Sequence, residues 1–235
     1  PWAEFGTSAC MALSVLPALS IGVYDVLVSH GRQNLIDYFA SNLATGEWAG
    51  TMCLTEPHAG TDLGIISTRA EPQSDGTYKV SGTKIFITYG EHDMADNIVH
   101  LVLAKVPGGP KGTKGISLFL VPKYMPSEWE GNLEGISNDL NSDHNGVTCS
   151  GAEEKMGLHA SPTCVMNFDD STGWLVGPLH GGMPLMFEMM NRERVATGMM
   201  GLGLAEIAYQ NALAWSLDRR QGRDLKGIRD PNEAA

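Results

Sequence analysis

An α+β fold is predicted by the order of three compositional zones. Helical periodicity comes first, then a series of short strand-like runs at regular spacing, then one long helical stretch without proline. This order is not the strand–helix alternation of a doubly wound sheet, and no G-x-G-x-x-G follows a strand. The letters GLGLAE at Gly201 to Glu206 fall inside the long helix and are discounted.

Residues 1–48 read as helices. Ile21, Tyr24, Leu27 and Val28 share one helical face and Gly31 supplies a stop; Leu35, Ile36, Phe39 and Leu43 repeat the pattern until Gly46. Phe5 to Tyr24 runs for 20 residues without a charge, which matches the length of a membrane span. Thr7, Ser8, Ser14, Pro17 and Ser20 interrupt it and no basic cluster flanks it, so a buried helical pair is expected, with neither a membrane span nor a signal peptide.

Residues 49–175 read as a middle β domain, an antiparallel sandwich or barrel. TYKVSGTKIFIT alternates on both sides of Ser81-Gly82, a hairpin signal, and Asp75-Gly76 marks the turn before it. NIVHLVLAKV, GISLFLVPKY and TCVMNFDD are further strand-like runs, and Pro107-Gly108-Gly109-Pro110 forms a loop between two of them.

Residues 176–235 read as the first long helix of a helical bundle. From Pro184 to about Gln221 apolar residues crowd every face, the pattern of a mostly buried helix. At about 1.5 Å per residue its length exceeds roughly 50 Å, which suits a bundle. Gly198, Gly201 and Gly203 each cost about 1 kcal/mol of helix propensity, which makes sense where another backbone approaches closely. Met183, Met186, Met189, Met190, Met199 and Met200 serve as adaptable core filler. The chain lacks an initiator Met and ends at Asn232-Glu233-Ala234-Ala235 without a closing element, so a piece of a longer protein is expected.

Sixteen basic against 27 acidic residues, a net charge of -11, exclude a general binder of nucleic-acid backbone. Cys10, Cys53, Cys149 and Cys164 form no C-x-x-C pair, and no H-E-x-x-H occurs, so neither a metal site nor a disulfide framework is expected. Free thiols fit a reducing, cytoplasmic setting.

The stretch MCLTEPHAGTD, Met52 to Asp62, leaves a strand abruptly into small and polar residues, the composition of a functional loop on a rigid scaffold. Cys53 to Asp62 resembles the signature of the acyl-CoA dehydrogenase family, small-apolar-Ser/Thr-Glu-x-x-small-Gly-Ser/Thr-Asp, with Ile65 as a departure from the small residue usual three positions on. GTKIFIT resembles the family's G-x-K-x-W/F-I-T strand, and GLHASPTCVMNFDD its G-x-x-x-S-x-x-x-x-x-F-x-x segment. MNRERVATGMMGLGLAEIAYQNALAWSLDRRQGR is similar to the first helix of its C-terminal bundle. The GEHDMADNIVHLVLA run is similar to the branch containing 3-methylmercaptopropionyl-CoA dehydrogenase. The resemblance implies N-terminal helices, a middle β domain and a four-helix bundle. It also implies FAD, an acyl-CoA thioester as substrate, α,β-dehydrogenation to the enoyl-CoA, an electron-transferring flavoprotein as redox partner, and a homodimer or homotetramer. Two other readings stay open: a non-catalytic flavin-binding scaffold, and a flavin oxidase or monooxygenase on the same frame.

The resemblance also implies roles for particular residues. Backbone groups at Met52, Leu54 and Thr55, with the Thr55 hydroxyl, meet the polar edge of the flavin. Gly60 allows close backbone approach, and Thr61 donates to the diphosphate. Phe86 stacks on the isoalloxazine and Thr88 hydrogen-bonds to its N5. Simple strand alternation puts Lys84, Phe86 and Thr88 on one face and Ile85, Ile87 and Tyr89 on the other. Glu56 and Asp62 are expected to be structural, satisfying loop N–H groups, since an acid beside a diphosphate repels it. Asn191 and Arg194 match positions on the CoA side of the substrate. Arg219 and Gln221 match an R-x-Q-F-G motif that reaches the FAD of a neighbouring subunit, although Gly222 stands where the aromatic is usual. The catalytic base stays unassigned. Glu193 occupies an alternative base position, but the subgroup resemblance places the base beyond residue 235.

Overall fold

The computed structural model describes residues 2–126 and 144–221. The chain opens with α1 (Trp2–His30), kinked at Cys10, where φ is -157° and ψ 94°. Val15, Leu19, Val23, Val26 and Leu27 recur at three- and four-residue spacing and are buried, so one stripe of α1 faces the core. Helix α2 (Gln33–Thr45) packs beside it and stops at Gly46, which takes the left-handed conformation (φ 81°) that ends many helices. Ala3–His30 is long and apolar enough to cross a membrane, but its apolar stripe is buried against α2, the sheet and α3 (Gly182–Asp218). The extended dihedrals at Cys10 divide α1 into two helical segments, the pair expected over Phe5–Tyr24, and α2 follows them.

Among the described residues seven strands follow: β1 (Trp48–Cys53), β2 (Arg69–Pro72), β3 (Tyr78–Thr88), β4 (Asn97–Lys105), β5 (Ile116–Pro122), β6 (Val147–Ala152) and β7 (Thr163–Val176). Pairings run β4–β2–β3–β7–β5 and return to β4, so the sheet closes on itself, with β1 added at β4 and β6 at β7. This is the closed β domain expected, but its sheet is mixed rather than purely antiparallel. β1 lies parallel to β4 in register Trp48↔Asn97 to Cys53↔Val102, and β2 meets β4 parallel at Arg69↔Lys105. Parallel neighbours need a long crossover. Here the crossover from β1 to β4 carries a one-turn 3₁₀ helix (Leu63–Ile65) and the β2–β3 hairpin.

A second correction concerns Ser81-Gly82. It is no hairpin: β3 runs unbroken for 11 residues and pairs with β7, with a register shift between Val80 and Gly82. Gly82 has φ +151°, and a Cβ there would sit 2.5 Å from the Thr68 hydroxyl, so only glycine fits. The hairpin lies at Asp75-Gly76, where Gly76 has φ +83° and the Thr77 N–H and hydroxyl both donate to Asp75 Oδ1 at 2.9 and 2.7 Å.

β4 and β5 are buried on both faces, which explains their unbroken apolar runs. Val99, Leu101, Leu103, Leu118 and Leu120 join the core under the helices, whereas Val102, Ala104, Phe119 and Val121 fill the interior of the closed sheet.

The 37-residue α3 starts flush on β5, where a Cβ at Gly182 would lie 2.4 Å from the Ser117 carbonyl carbon. It then passes α1. Met189 fills the space over Gly22, and Ser8 donates to the Gly203 carbonyl at 3.0 Å. Gly203 is where the backbones close in, as expected, but Gly198 and Gly201 face open space among the described residues. The expectation of a mostly buried helix is corrected. Leu202, Ile207, Trp215 and Leu217 are exposed, because apolar residues on every face need neighbours on several sides and the described chain supplies only α1 and the sheet.

Candidate functional site

The loop leaving β1 is built around Glu56. Its backbone closes a tight turn with Ala59 through two reciprocal N–H···O bonds of 3.0 Å. Its side chain turns inward and accepts from five donors: the Ser67 N–H (2.6 Å) and hydroxyl (2.7 Å), the Thr68 N–H (3.0 Å) and hydroxyl (2.6 Å), and the Lys84 ammonium (2.9 Å). Lys84 also donates to the Leu54 carbonyl at 2.9 Å. Both charged side chains are 0% exposed. Burial raises the Glu56 pKa, but Lys84 and the Ser67–Thr68 donors outweigh it and hold the carboxyl down at about 2. Burial lowers the Lys84 pKa, and Glu56 opposes that shift. Asp62 caps the 3₁₀ turn by accepting from the Gly64 N–H at 2.9 Å. Both carboxylates are structural, as expected.

The Ile85 N–H donates to the Thr55 carbonyl at 2.9 Å, joining the first loop to the end of β3. Simple alternation then fails. A register shift against β7 falls between Lys84 and Ile87, and both of these side chains point inward. Phe86 sits between them at φ +59°, left-handed, and the residue is 57% exposed. Lys84 and Phe86 therefore do not share a face. A bulky residue at positive φ is a backbone outlier, and such strain gathers at binding sites. Tyr89, also at positive φ (54°), is tied on both sides: its N–H donates to the Pro162 carbonyl and its hydroxyl to the Ala12 carbonyl, each at 2.7 Å. The strand end that presents Phe86 and Thr88 is thereby fixed to β7's approach and to α1.

Met52 is half-buried and Leu54 buried, while Thr55 and Thr88 are half-buried and Gly60 and Thr61 exposed. A Cβ at Gly60 would make only an ordinary contact of 3.6 Å with Thr55, so its lack of a side chain leaves the outer face of the loop clear. Exposed Phe86, half-buried Thr55 and Thr88, and exposed Gly60 and Thr61 supply the residue types that a flat heteroaromatic group with a polar edge and a diphosphate tail calls for. FAD has that composition.

On α3, Arg194 donates to the Asn191 side chain at 2.8 Å and lies over the Phe187 ring at 5.4 Å. Beside them, a Glu193 carboxylate oxygen is buried without a hydrogen-bond partner among the described residues. Burial raises its pKa, with Arg192 partly opposing. Arg219 and Gln221 lie past the far end of α3, 3.5 Å apart and exposed. At about 1.5 Å per residue, Arg219 is some 45 Å along the helix from Met189. Among the described residues, the contacts given for their side chains are with each other and with the Trp215 ring, not with the β1 loop. Gly222 lies outside the described residues.

Sequence reasoning missed Lys84 as the inward tether of the site, together with its dependents Ser67 and Thr68. The available signal was Glu56: a loop carboxylate expected to satisfy buried donors needs a cation or several N–H groups nearby.

The pattern described as acyl-CoA dehydrogenase, middle domain, matches residues 51–171. The chain is similar to 3-methylmercaptopropionyl-CoA dehydrogenase of Ruegeria pomeroyi, 46% identical over 95% of this chain and 37% of that protein. It is also similar to a butyryl-CoA dehydrogenase of Syntrophomonas wolfei, 41% identical over 99% of this chain and 38% of that protein. Among solved structures it resembles butyryl-CoA dehydrogenase from Megasphaera elsdenii, with TM-score 0.78, 27% identity, 95% of this chain and 53% of that one covered. The chain thus spans well under half the length of the two similar sequences.

Proposed function

The chain belongs to the acyl-CoA dehydrogenase family, and on that premise we propose that the whole protein carries out FAD-dependent α,β-dehydrogenation of an acyl-CoA thioester to the enoyl-CoA. The observation that carries the reading is the junction of the two motif segments by the Ile85 N–H···O=C Thr55 bond, which puts Thr55 beside the outward-turned Phe86. When bound, FAD supplies the acceptor for the β-hydrogen, which leaves as hydride. Phe86 offers a ring face for stacking. Thr55 and Thr88 offer hydroxyls to its polar edge, and the Gly60-Thr61 backbone and the Thr61 hydroxyl offer donors to its diphosphate. Arg194, oriented by Asn191, offers a cation toward the CoA thioester. Arg219 and Gln221, whose described side-chain contacts are with each other and with Trp215, are assigned to the FAD site of a neighbouring subunit in a homo-oligomer. The acceptor of the outgoing electrons is assigned to an electron-transferring flavoprotein.

The base that removes the α-proton is assigned to a carboxylate outside these 235 residues, on the resemblance of the subgroup. A second reading gives that role to Glu193, favoured by its buried, unpartnered oxygen and raised pKa.

The test is anaerobic mixing of the FAD-loaded full-length protein with butyryl-CoA or 3-methylmercaptopropionyl-CoA. Bleaching of the flavin is expected, and Thr88→Val should change its rate while leaving the fold intact. Bound flavin that no acyl-CoA bleaches would favour the non-catalytic scaffold. Rapid reoxidation by O₂ would favour an oxidase or monooxygenase.

A further inference from the structure

Lys84 and Glu56 form a buried pair where the exit of β1, the entry to β2 and the end of β3 meet. Lys84 ties Leu54 and Glu56, and Glu56 ties Ser67 and Thr68. Gly82, two residues before Lys84, lets Thr68 pack against β3 without a clashing Cβ. Thr55 lies between Leu54 and Glu56, and Phe86 lies two residues after Lys84. Every covalent path from the pair to the exposed face is one or two residues long.

A buried ion pair is weak support for stability, since apolar residues of similar volume often serve as well. Its specific asset is direction: a carboxylate with five donors and an ammonium with two acceptors hold three segments at set spacings. Resting on the flavin reading above, we propose that Lys84 and Glu56 are positioning residues for FAD, setting the spacing between Thr55 and the Phe86–Thr88 strand end from beneath. They touch no part of the bound group themselves.

The double variant Lys84→Met/Glu56→Gln of the full-length protein separates positioning from plain stability. It removes both charges while keeping side-chain volume, so its apo-protein should melt closer to wild type than Lys84→Met, which strands a buried carboxylate. Its FAD dissociation constant should nevertheless rise by about tenfold or more, as for loss of hydrogen bonds to charged groups. The visible flavin spectrum should shift with it. Wild-type affinity and spectrum in a folded double variant would overturn the proposal and leave the flavin reading standing. If the double variant does not fold, Ser67→Ala carries the test. It removes one donor to Glu56 at an exposed residue and should weaken FAD binding about fivefold. Unchanged affinity there overturns the proposal. A wild-type protein that binds no FAD overturns the flavin reading and this assignment together.

Discussion

Replacing Phe86 by glycine and, separately, by alanine should reverse the usual stability order of those two residues. In ordinary strand geometry alanine is more stable than glycine by about 0.5–1 kcal/mol. At φ +59°, however, a Cβ costs about 1–2 kcal/mol. The net result favours Phe86→Gly over Phe86→Ala by about 0.5–1 kcal/mol. Loss of the ring is common to both. With 57% of Phe86 exposed, less than half of its burial is forfeited, or about 1 kcal/mol against the 1.5–3 kcal/mol of a fully buried phenylalanine. Phe86→Gly should therefore unfold within about 1 kcal/mol of wild type, while FAD binding weakens in both variants through lost stacking. Urea unfolding of the apo-protein at fixed subunit concentration reads the first quantity, and flavin titration the second. Alanine more stable than glycine, or a loss beyond about 3 kcal/mol in either, would mean that Phe86 is a packing residue and the strain argument is wrong.

Other tests follow from the same geometry. The Glu56 pKa falls from 4.5 in the unfolded chain to about 2 when folded, so its contribution is present above pH 4.5 and lost as pH drops through about 2. That difference amounts to about 3 kcal/mol, and wild type should lose stability in acid more steeply than Lys84→Met/Glu56→Gln. Equal slopes between pH 6 and pH 2.5 would contradict it. Lys84 works in the opposite sense, its depressed pKa marking a burial cost while it is charged, so the acid slope rather than the pair's total is the signal to read. Gly82→Ala should destabilise by about 2–4 kcal/mol through overlap with Thr68, against about 1 kcal/mol for Gly76→Ala, whose Cβ meets open space. Comparable melting points for the two would remove the packing role given to Gly82. Glu193→Gln should retain most α-proton abstraction, read as anaerobic flavin bleaching. A fall of several orders of magnitude with substrate still bound would place the base at Glu193.

The helices, the closed β domain and the long α3 were legible because their periods were long and their stop signals clear. Gly46 ends α2 and Gly76 turns the β2–β3 hairpin, as their sequence context implies. Ser81-Gly82 misled because turn chemistry is local, whereas β3 continues past β2 to pair along its length with β7, about ninety residues downstream, and that pairing absorbs the glycine as a register shift. Period-2 counting failed at Phe86 for a related reason: the irregularity that turns Phe86 outward places Lys84 and Ile87 both inward. A lysine in an alternating strand reads as solvent-facing, and its burial becomes visible only once Glu56, 28 residues upstream, is folded against it. The parallel β1–β4 pairing left no local trace, since both strands are buried and apolar whichever way they run.

The docking of α3 on α1 carries a consequence for how the chain acquires its shape. Ser8 and Gly203 meet across 195 residues of sequence. Bringing such distant partners together is entropically slow, and contacts of that separation reward the chain only after the segments between them have collapsed. During synthesis the residues of β1 to β7 emerge before any of α3 and can condense first, while the stripe of α1 that receives Met189 and Gly203 stays wet. In refolding, burial of that stripe should be the last event, later than sheet closure. The interval between the two is when the apolar N-terminal helix is most open to chaperones, to self-association and to any lipid surface nearby.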